Sequence, residues 1–377
     1  MIGILAHNIY TGIGFGSRKV YGELLEGRSG LALREGVFGV PDPFFSSLFD
    51  REEIESAFAS SSLKEKEPLT LLEKAMALSA ADAIGSASLD ASSPRTLFVI
   101  SSTKGNVELL EKDPAGTSPD MHIWRSARKV ASLFGNANAP VCVTNACASG
   151  IVAQICALRA IESGEYDNAV VVGADMLSRF VISGFQCLKA LSPHRCRPFD
   201  AERCGLNLSE AVATLVFGRG PGIGVCLESG AIRNDATHIS APSRTAEGQL
   251  AAIESAMRGI DPRTLAFINV HGTATLYNDN MESVALHRSG LDGVPAVSLK
   301  SFFGHTLGAA GVMETVISAL ALLDEKVLPT FCYETCGVDF PLNMASVQRK
   351  SAGTRFLKIM SGFGGINAAA LYRRNEK

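Results

Sequence analysis

Short apolar runs alternate along the chain with longer segments whose apolar residues recur at helical spacing. The runs LFVISS (97–102), VCVT (141–144) and AVVVG (169–173) are rich in β-branched residues and predict buried strands. Two longer segments, LTLLEKAMALSAADAI (69–84) and SGIVAQICALRAIESG (149–164), have the spacing of helices that bury at least one face. The alternation predicts an α/β fold in which helices cover the sheets.

One part of this pattern occurs twice. Residues 141–163 and 296–322 each pass from a strand-like run through a polar turn into an alanine-rich helix. Aligning Gly150 with Gly311 brings small residues together at the start of both helices and apolar residues together along them. Two alanine-rich helices can resemble each other by chance, but the shared strand and turn favour a duplicated unit.

A glycine-rich stretch, FGRGPGIG (217–224), separates the two copies. We therefore predict two halves, residues 1–220 and residues 221–377, and the total length suits two such halves around a large core. Residues 41–68 and 105–125 are polar and contain proline, so we expect irregular surface loops there rather than separate domains.

Composition limits the binding partners and the cellular compartment that we expect for this protein. A formal net charge of −3 gives no overall basic field of the kind that nucleic-acid binding favours. The nine cysteines show no paired CxxC spacing, so we predict reduced thiols in a cytoplasmic protein and no metal site. The chain lacks a basic start, and no apolar run approaches the roughly 20 residues of a membrane span, so we expect neither a signal peptide nor a membrane anchor.

The segment NACASG (145–150) places Cys147 where a strand-like run gives way to a helix. The free N–H groups and the positive dipole end of that helix would point at the sulfur, favour the thiolate and lower the pKa of the thiol. A buried structural thiol is the alternative, and it suits Cys142 and Cys156, which lie within a strand and on a helix face. Cys147 is thus a candidate nucleophile.

Two of the seven histidines share one local setting. His271 in INVHGTAT (268–275) and His305 in SLKSFFGHTLGAAG (298–311) each follow a short apolar run and lie among glycine and threonine residues. A single histidine at a strand end is often structural. Because the duplication puts His305 and Cys147 at equivalent ends of equivalent helices, we predict that all three side chains share one pocket.

Four motifs in this order, NACASG, HGTAT, KSFFGHTLGAAG and GFGGINAA (362–369), resemble those of the β-ketoacyl-acyl-carrier-protein synthases of the elongating Cys-His-His kind. The resemblance runs the whole length, because TGIGFGSRKVYGELLEGRSGL (11–31) and RPFDAERCGLNLSEAVATLVF (197–217) also match that family. It implies a thiolase-like α/β fold, in which two duplicated βαβαβαββ halves form a five-layered αβαβα sandwich.

The resemblance also implies an acyltransferase mechanism. Cys147 would take an acyl chain from an acyl carrier protein as a thioester, and backbone N–H groups of Cys147 and of Ser361 or its neighbour would form an oxyanion hole. Malonyl carrier protein would then lose CO2. His271 and His305, as neutral donors with tautomers fixed by neighbouring groups, would stabilise the enolate on the way to a 3-oxoacyl product. Phosphopantetheine carries the substrates, so no cofactor is implied.

Further residues match motifs of the same family. The resemblance gives Lys300 and Glu314 an electrostatic and structural role beside the second histidine, since a buried lysine without its carboxylate is costly. Thr273 and Thr275 match threonines that bind the phosphopantetheine arm, and simple capping of a turn is the alternative. Asp279 aligns with an acidic position near the site.

Docking and assembly are also implied only by the resemblance. Lys64, Lys66, Arg195 and Arg197 fall in segments that resemble the family's docking surface for the acidic carrier protein, where ordinary solvated charges are the alternative. We also expect a homodimer, or a heterodimer with a related synthase or a chain length factor. We expect no nucleic-acid partner and no membrane partner.

The chain departs from the family at one late turn. Many elongating synthases read Phe-Gly-Phe-Gly-Gly there, and we take the first Phe as the gate of the acyl pocket. This chain has Ser361 at that position, which cannot fill the volume, while Phe363 is retained and is expected to contact substrate. The departure and a shorter chain favour a specialised polyene or polyketide-type pathway over housekeeping fatty-acid synthesis.

Other protein classes fit the motifs less well. A thiolase would carry a second cysteine in the late glycine-rich turn, and an initiating synthase would carry asparagine in place of His305. A Cys-His hydrolase leaves the second histidine and Lys300 unexplained. A non-catalytic chain length factor, the main alternative, usually lacks the nucleophile, whereas Cys147 is present.

Overall fold

The computed structural model describes residues 1–375, and its elements follow the predicted alternation of strands and helices. The predicted strands correspond to β5, β6 and β7 and the predicted helices to α3 and α5, within the following set. The strands are β1 (Ile2–Thr11), β2 (Gly14–Phe15), β3 (Ala32–Arg34), β4 (Phe44–Ser46), β5 (Thr96–Ser101), β6 (Val141–Val143), β7 (Asn168–Asp175), β8 (Ala211–Arg219), β9 (Val225–Asn234), β10 (Leu265–Asn269), β11 (Ala296–Val297), β12 (Lys326–Val327), β13 (Arg349–Lys350), β14 (Arg355–Gly362) and β15 (Ile366–Arg374). The helices are α1 (Ser17–Leu25), α2 (Arg51–Ser60), α3 (Leu71–Ala87), α4 (Ile123–Leu133), α5 (Ser149–Glu162), α6 (Arg179–Cys187), α7 (Glu247–Ala256), α8 (Leu276–Arg288), α9 (Lys300–Phe303) and α10 (Ala310–Leu323).

Each half of the chain arranges its five principal strands in the same order. The order is β6-β5-β7-β8-β1 in the first half and β11-β10-β14-β15-β9 in the second, so both read third, second, fourth, fifth, first. In both halves the first three strands in this order are parallel to one another. The strand that comes fifth along the chain, β8 or β15, is antiparallel to both of its neighbours. The duplicated topology is therefore confirmed. A division of the chain at residue 220 stays a prediction.

The layers of the predicted sandwich are also present. The two five-strand sets, called the first and the second sheet below, are joined into one continuous sheet by antiparallel pairing of β1 with β9. Helix α3, with α4, covers the outer face of the first sheet, and α7, with α8, covers the outer face of the second. Helices α5 and α10 lie between the two sheets and contact strands of both. Every residue of α10 from Ala310 to Leu322 is buried, as expected for a helix covered on all sides.

The two central helices cross where the sequence alignment placed equivalent glycines. A Cβ atom added to Gly311 would lie 2.6 Å from the backbone nitrogen of Ile151, and one added to Gly150 would lie 2.8 Å from that of Val312. Both distances are shorter than any real van der Waals contact, so the backbones can approach this closely only because neither residue has a side chain. The crossing therefore fixes the N-terminal ends of α5 and α10 relative to each other.

Two segments were expected to be irregular. The expectation is wrong for residues 41–68, which contain β4 and α2, and Asp50 caps α2 by accepting the N–H groups of Glu52 and Glu53. Residues 105–125 form short 3₁₀ turns and lead into α4. Among residues 1–375, no helix is long and apolar enough to cross a membrane.

Candidate active site

A sharp turn presents Cys147 at the N-terminal end of α5. The turn Ala146–Ala148 joins β6 to α5, and Ala146 has φ 47°, a left-handed conformation that residues other than glycine rarely adopt. The equivalent turn before α10 places Leu307 at φ 53°. Alignment of Gly150 on Gly311 puts Ala146 on Leu307, so the duplication extends to the strained residue itself.

The first half of the chain holds His305 in place. The N–H of His305 donates to the carbonyl of Asn207 at 2.6 Å, and the N–H of Ser209 donates to the carbonyl of His305 at 3.0 Å. Its Nδ1 accepts the N–H of Leu307 at 3.2 Å, so a neutral ring carries its proton on Nε2. Nε2 is buried and has no hydrogen-bond partner among the described residues, which leaves its proton available to a ligand.

Two carboxylates on α8 shape the loop that carries His271. Glu282 accepts the N–H of His271 at 2.6 Å and that of the next residue at 2.7 Å. Asp279 accepts the N–H groups of Thr273 and Ala274 at 2.9 and 3.1 Å. Asp279 was predicted from the sequence and Glu282 was not, although its position three residues later on the same helix was the available signal.

The structure brings the candidate nucleophile and both candidate imidazoles together. The Sγ atom of Cys147 and one ring nitrogen each of His271 and His305 lie within 4.8 Å of one another, and all three residues are buried. The two imidazole rings meet edge to face, with centroids 5.2 Å apart and planes inclined by 81°. Residues from three different turns therefore face one small volume.

Burial determines the protonation of this group. It lowers the pKa of His271 and of His305 well below the usual value, and the nearby charge of Lys300 lowers both further, so both rings are neutral near pH 7. Burial raises the pKa of Cys147 to about 11, although Lys300 opposes the shift. The direction is opposite to the predicted lowering of the thiol pKa, because desolvation by burial has the largest effect on the sulfur.

The expectation of two fixed tautomers holds for only one imidazole. The contact from Leu307 fixes the tautomer of His305. In contrast, Nδ1 of His271 is buried without a hydrogen-bond partner among residues 1–375. No neighbour fixes the tautomer of His271, so its Nε2 atom is able either to donate a hydrogen bond or to accept one.

Beside the imidazoles lies a buried cluster of three charges, Lys300, Glu314 and Lys358. Lys300 Nζ donates to Glu314 Oε1 at 2.7 Å, Lys358 Nζ donates to Glu314 Oε2 at 2.6 Å, and each side chain is at most 1% exposed. Burial alone would raise the pKa of Glu314, but the two ammonium groups together lower it below its usual value. The sequence analysis predicted the first pair and missed Lys358, because one lysine within an apolar strand forms no motif.

A cavity of about 370 Å³ leads from Cys147 to the surface. Thr273 and Thr275 line it, and their hydroxyl oxygens are 2.9 Å apart. Thr275 occupies the N-cap position of α8, but its side chain makes no capping hydrogen bond. Both hydroxyl groups are therefore placed to meet a bound molecule, and helix capping does not account for Thr275.

The late glycine-rich turn packs against the nucleophile. A Cβ atom added to Gly362 would lie 3.1 Å from the backbone nitrogen of Cys147, so the main chain of this turn runs beside the Cys147 N–H group. This is the pair of main-chain segments from which an oxyanion hole was expected.

Two side chains of the same turn, those of Ser361 and Phe363, were expected to contact substrate, and both residues line the cavity. Ser361 is buried, and its hydroxyl group contacts Gln249 Oε1 at 2.5 Å and Asn367 Oδ1 at 2.8 Å. Phe363 is 41% exposed, lines the cavity and stacks on Phe185 with ring centroids 6.0 Å apart. Ser361 also lines the cavity, and the effect of serine in place of the family's gating Phe stays a prediction. The hydroxyl group of Ser361 belongs to a buried polar network, and Phe363 is one of the aromatic residues at the mouth.

The four basic residues expected to dock a carrier protein lie on separate segments. Lys64 and Lys66 are exposed between α2 and α3, whereas Arg195 and Arg197 lie between α6 and β8, where Arg197 pairs with Asp200 at 3.0 Å. None of the four is among the described residues that line the cavity. The exposed side chains at the mouth include Lys189 and His238 and five large apolar or aromatic ones, namely Leu188, Ile239, Leu276, Tyr277 and Phe363. Docking at the four basic residues stays a prediction.

Comparison with known proteins identifies the family. The family model "Beta-ketoacyl synthase, N-terminal domain" matches residues 40–220, and "Beta-ketoacyl synthase, C-terminal domain" matches residues 223–334. The chain is 32% identical to the "Putative polyketide beta-ketoacyl synthase 1" of Streptomyces cyaneus, over 73% of this chain and 70% of that protein. The chain belongs to the β-ketoacyl synthase family. Members of this family are condensing enzymes of the acyltransferase class, as the sequence analysis expected.

Other β-ketoacyl synthases extend the comparison. The "3-oxoacyl-[acyl-carrier-protein] synthase 2" of Staphylococcus aureus is 30% identical over 71% of this chain and 70% of that protein. A solved ketosynthase in complex with its chain length factor, from Xenorhabdus doucetiae, superposes with a TM-score of 0.88 at 25% identity, covering 99% of this chain and 98% of that one. The ishigamide ketosynthase/chain length factor superposes with a TM-score of 0.86 at 25% identity, covering 100% and 99%. The thiolase-like fold is thus confirmed.

Proposed function

We propose that this chain is the catalytic subunit of a β-ketoacyl synthase, which condenses an acyl chain held on Cys147 with a malonyl unit and releases CO2. The observation that carries the proposal is the meeting of the Cys147 sulfur with His271 and His305 within 4.8 Å at the inner end of the cavity. A non-catalytic chain length factor, the alternative, needs neither a nucleophile nor two neutral imidazoles beside it.

The first step transfers the acyl group to the enzyme. The Cys147 sulfur attacks the carbonyl carbon of an acyl phosphopantetheine thioester, and the pantetheine sulfur leaves and takes up the proton that the Cys147 thiol gives up. Because one thiol replaces another, the step needs no net charge change in the buried site, which suits a thiol that is protonated at rest. N–H groups of Cys147 and of the turn beside Gly362 stabilise the negative carbonyl oxygen.

The second step forms the new carbon–carbon bond. When the malonyl thioester loses CO2, the electron pair of the broken bond forms an enolate whose charge lies on the thioester oxygen. The Nε2–H group of His305 is free to donate to that oxygen, and His271 supplies a second neutral ring beside it. The enolate carbon then attacks the acyl thioester, the bond from that carbonyl carbon to the Cys147 sulfur breaks, and the released thiolate takes up one proton from water. The product is a 3-oxoacyl thioester two carbons longer.

The proposal includes an acyl carrier protein, whose phosphopantetheine arm carries both substrates. It also includes a dimer partner, either a second copy or a related chain length factor, and the ketosynthase–chain length factor complex from Xenorhabdus doucetiae supports the second form. The reaction draws only on groups of the chain and its substrates, so we propose no resident cofactor or metal. Nine free thiols among the described residues support a reducing, cytoplasmic location.

The pathway is proposed from the same comparisons. The similarity to the polyketide synthase of Streptomyces cyaneus supports a specialised polyene or polyketide-type pathway. The similarity to the 3-oxoacyl synthase of Staphylococcus aureus supports fatty-acid synthesis as the alternative. Restoration of ordinary fatty-acid synthesis in a strain lacking its elongating synthase would decide for the alternative.

Intact-mass analysis tests the proposed function. The wild-type protein is incubated with acyl carrier proteins loaded with chains of graded length, and the mass of the chain is then measured. We expect an acyl adduct on wild type and on Cys156→Ala, a control that removes a partly buried thiol from a helix face, but not on Cys147→Ala. An adduct that survives in Cys147→Ala, or no adduct with any donor, would refute the proposal.

A further inference from the structure

Both oxygens of one buried carboxylate are taken by two different lysines. Glu314 on α10 receives Lys300, at the start of α9, and Lys358, from the middle of β14, at 2.7 and 2.6 Å. A single buried ion pair would be neutral, but this cluster of three has a net charge of +1 when both lysines are protonated. A net charge in the interior is costly, and an ion pair of Lys300 with Glu314 alone would have avoided that cost.

We propose that Lys358 keeps the Lys300–Glu314–Lys358 cluster at a net charge of +1, and that this charge, held beside His271 and His305, stabilises the enolate during decarboxylation. The inference rests on the proposed function. Lys358 is fully buried and makes no contact with the cavity, so its role is electrostatic and positioning rather than catalytic.

A second set of contacts ties Lys358 to the loop that carries His271. Its Nζ donates to Asn269 Oδ1 at 2.8 Å and to the carbonyl of Val270, directly before His271, at 3.2 Å. Asn269 in turn donates to Ser318 on α10 at 2.7 Å. Lys358 thus joins the end of β10 to the helix whose first turn follows His305, and its charge lies where the two imidazole loops meet.

The charged groups that face Lys358 define how its protonation changes. They are Glu314, Lys300 and Glu282, and it also acts on both imidazoles. Burial lowers the pKa of Lys358 to about 8, while Glu314 opposes the shift. Lys358 is therefore charged at pH 7 and loses its proton above about pH 8, where the net charge of the cluster falls from +1 to 0.

Decarboxylation without acyl transfer isolates this effect. In a Cys147→Gln parent, which lacks the candidate nucleophile, release of CO2 from malonyl carrier protein reports only the enolate step. We expect Lys358→Met to lower this rate about tenfold at pH 7, as loss of one nearby unit charge in a site of intermediate dielectric predicts. We also expect the parent to slow above pH 8 and the variant to lack this decline. Lys358→Arg, which keeps its charge, should retain the rate and also lack the decline.

Lys129→Met is the matched control. Lys129 is equally buried, but it pairs with Asp120 and Glu73 in the outer layer of the first half, at 3.0 and 3.5 Å. The Lys129→Met substitution should lower thermal stability and leave the rate of CO2 release and its pH dependence unchanged. The inference is overturned if Lys358→Met, like Lys129→Met, lowers only the thermal stability and leaves the decarboxylation rate unchanged. It is also overturned if the rate of the parent does not decline above pH 8. A parent that releases no CO2 at any pH would instead overturn the proposed function, and the inference with it.

Discussion

The crossing of α5 and α10 makes a sharp prediction about how the site is held. Gly311→Ala adds one methyl group at the closest approach of the two helices, where the new carbon would lie 2.6 Å from the backbone nitrogen of Ile151 and 2.9 Å from the carbonyl carbon of Gly150. Backbone atoms surround this position, so no side chain is able to rotate away. The helices themselves must separate.

The size of the effect follows from these distances. An ordinary contact needs at least 3.4 Å, so the helices must move apart by about 0.8 Å, and overpacking of this kind costs about 1–3 kcal/mol of unfolding free energy. The same movement displaces Cys147, three residues before Gly150, relative to His305, six residues before Gly311. A misplacement near 1 Å at a reacting centre costs on the order of 100-fold in rate. We therefore expect the rate of acyl transfer to fall by more than the loss of folded protein accounts for.

The assay pairs urea unfolding with single-turnover acyl transfer from an acyl carrier protein. The control is Gly85→Ala in α3, where a Cβ atom would meet nothing within 4 Å. This control should raise the unfolding free energy by about 0.5–1 kcal/mol, because alanine favours the helix, and should leave the rate unchanged. A Gly311→Ala protein with wild-type stability and wild-type transfer would refute the argument that this crossing positions the site.

Three further predictions concern buried polar groups. Ser361→Phe should lower the melting temperature by several degrees in a thermal scan, because the ring breaks a buried network and overfills its space; a stable variant with altered chain-length preference would contradict this. Burial raises the folded-state pKa of Glu282 from 4.5 to about 7, so the unfolding free energy should fall as the pH rises from about 4.5 to 7, because the unfolded chain loses this proton first. Glu282→Gln should flatten this pH dependence in urea titrations, and an unchanged slope would contradict the prediction. Glu314→Gln leaves Lys300 and Lys358 facing each other, and should cost about 3–5 kcal/mol of unfolding free energy; a loss below 1 kcal/mol would mean that the cluster is not ionised.

Much of the fold could be predicted because its patterns are local or repeated. Alternating strand-like and helical segments predicted β5, β6, β7, α3 and α5, and the echo between residues 141–163 and 296–322 predicted the duplication. The same echo aligned Gly150 with Gly311, and the structure adds that the two helices cross at these glycines, which the sequence did not predict. In contrast, α2 was missed because its polar, proline-flanked surroundings hid a capped helix.

The site was predictable only where residues form motifs. Cys147, His271 and His305 lie in distinctive turns, whereas Lys358 and Glu282 are single charged residues whose importance arises from packing between distant segments. The pKa of the thiol was mispredicted for a related reason. The turn into the helix is visible in the sequence, but the burial that raises the pKa of the thiol is a property of the folded chain.

Single-turnover condensation tests the central claim most directly. The protein is first acylated, malonyl carrier protein is added, and mass spectrometry follows both the acyl adduct and the 3-oxoacyl product. We expect wild type to convert its adduct into product, and His271→Ala and His305→Ala to form the adduct but to make at least about 100-fold less product, as removal of a donor to an oxyanion does elsewhere. Undiminished product from either histidine variant would contradict the claim that Cys147 and the two imidazoles act on one thioester.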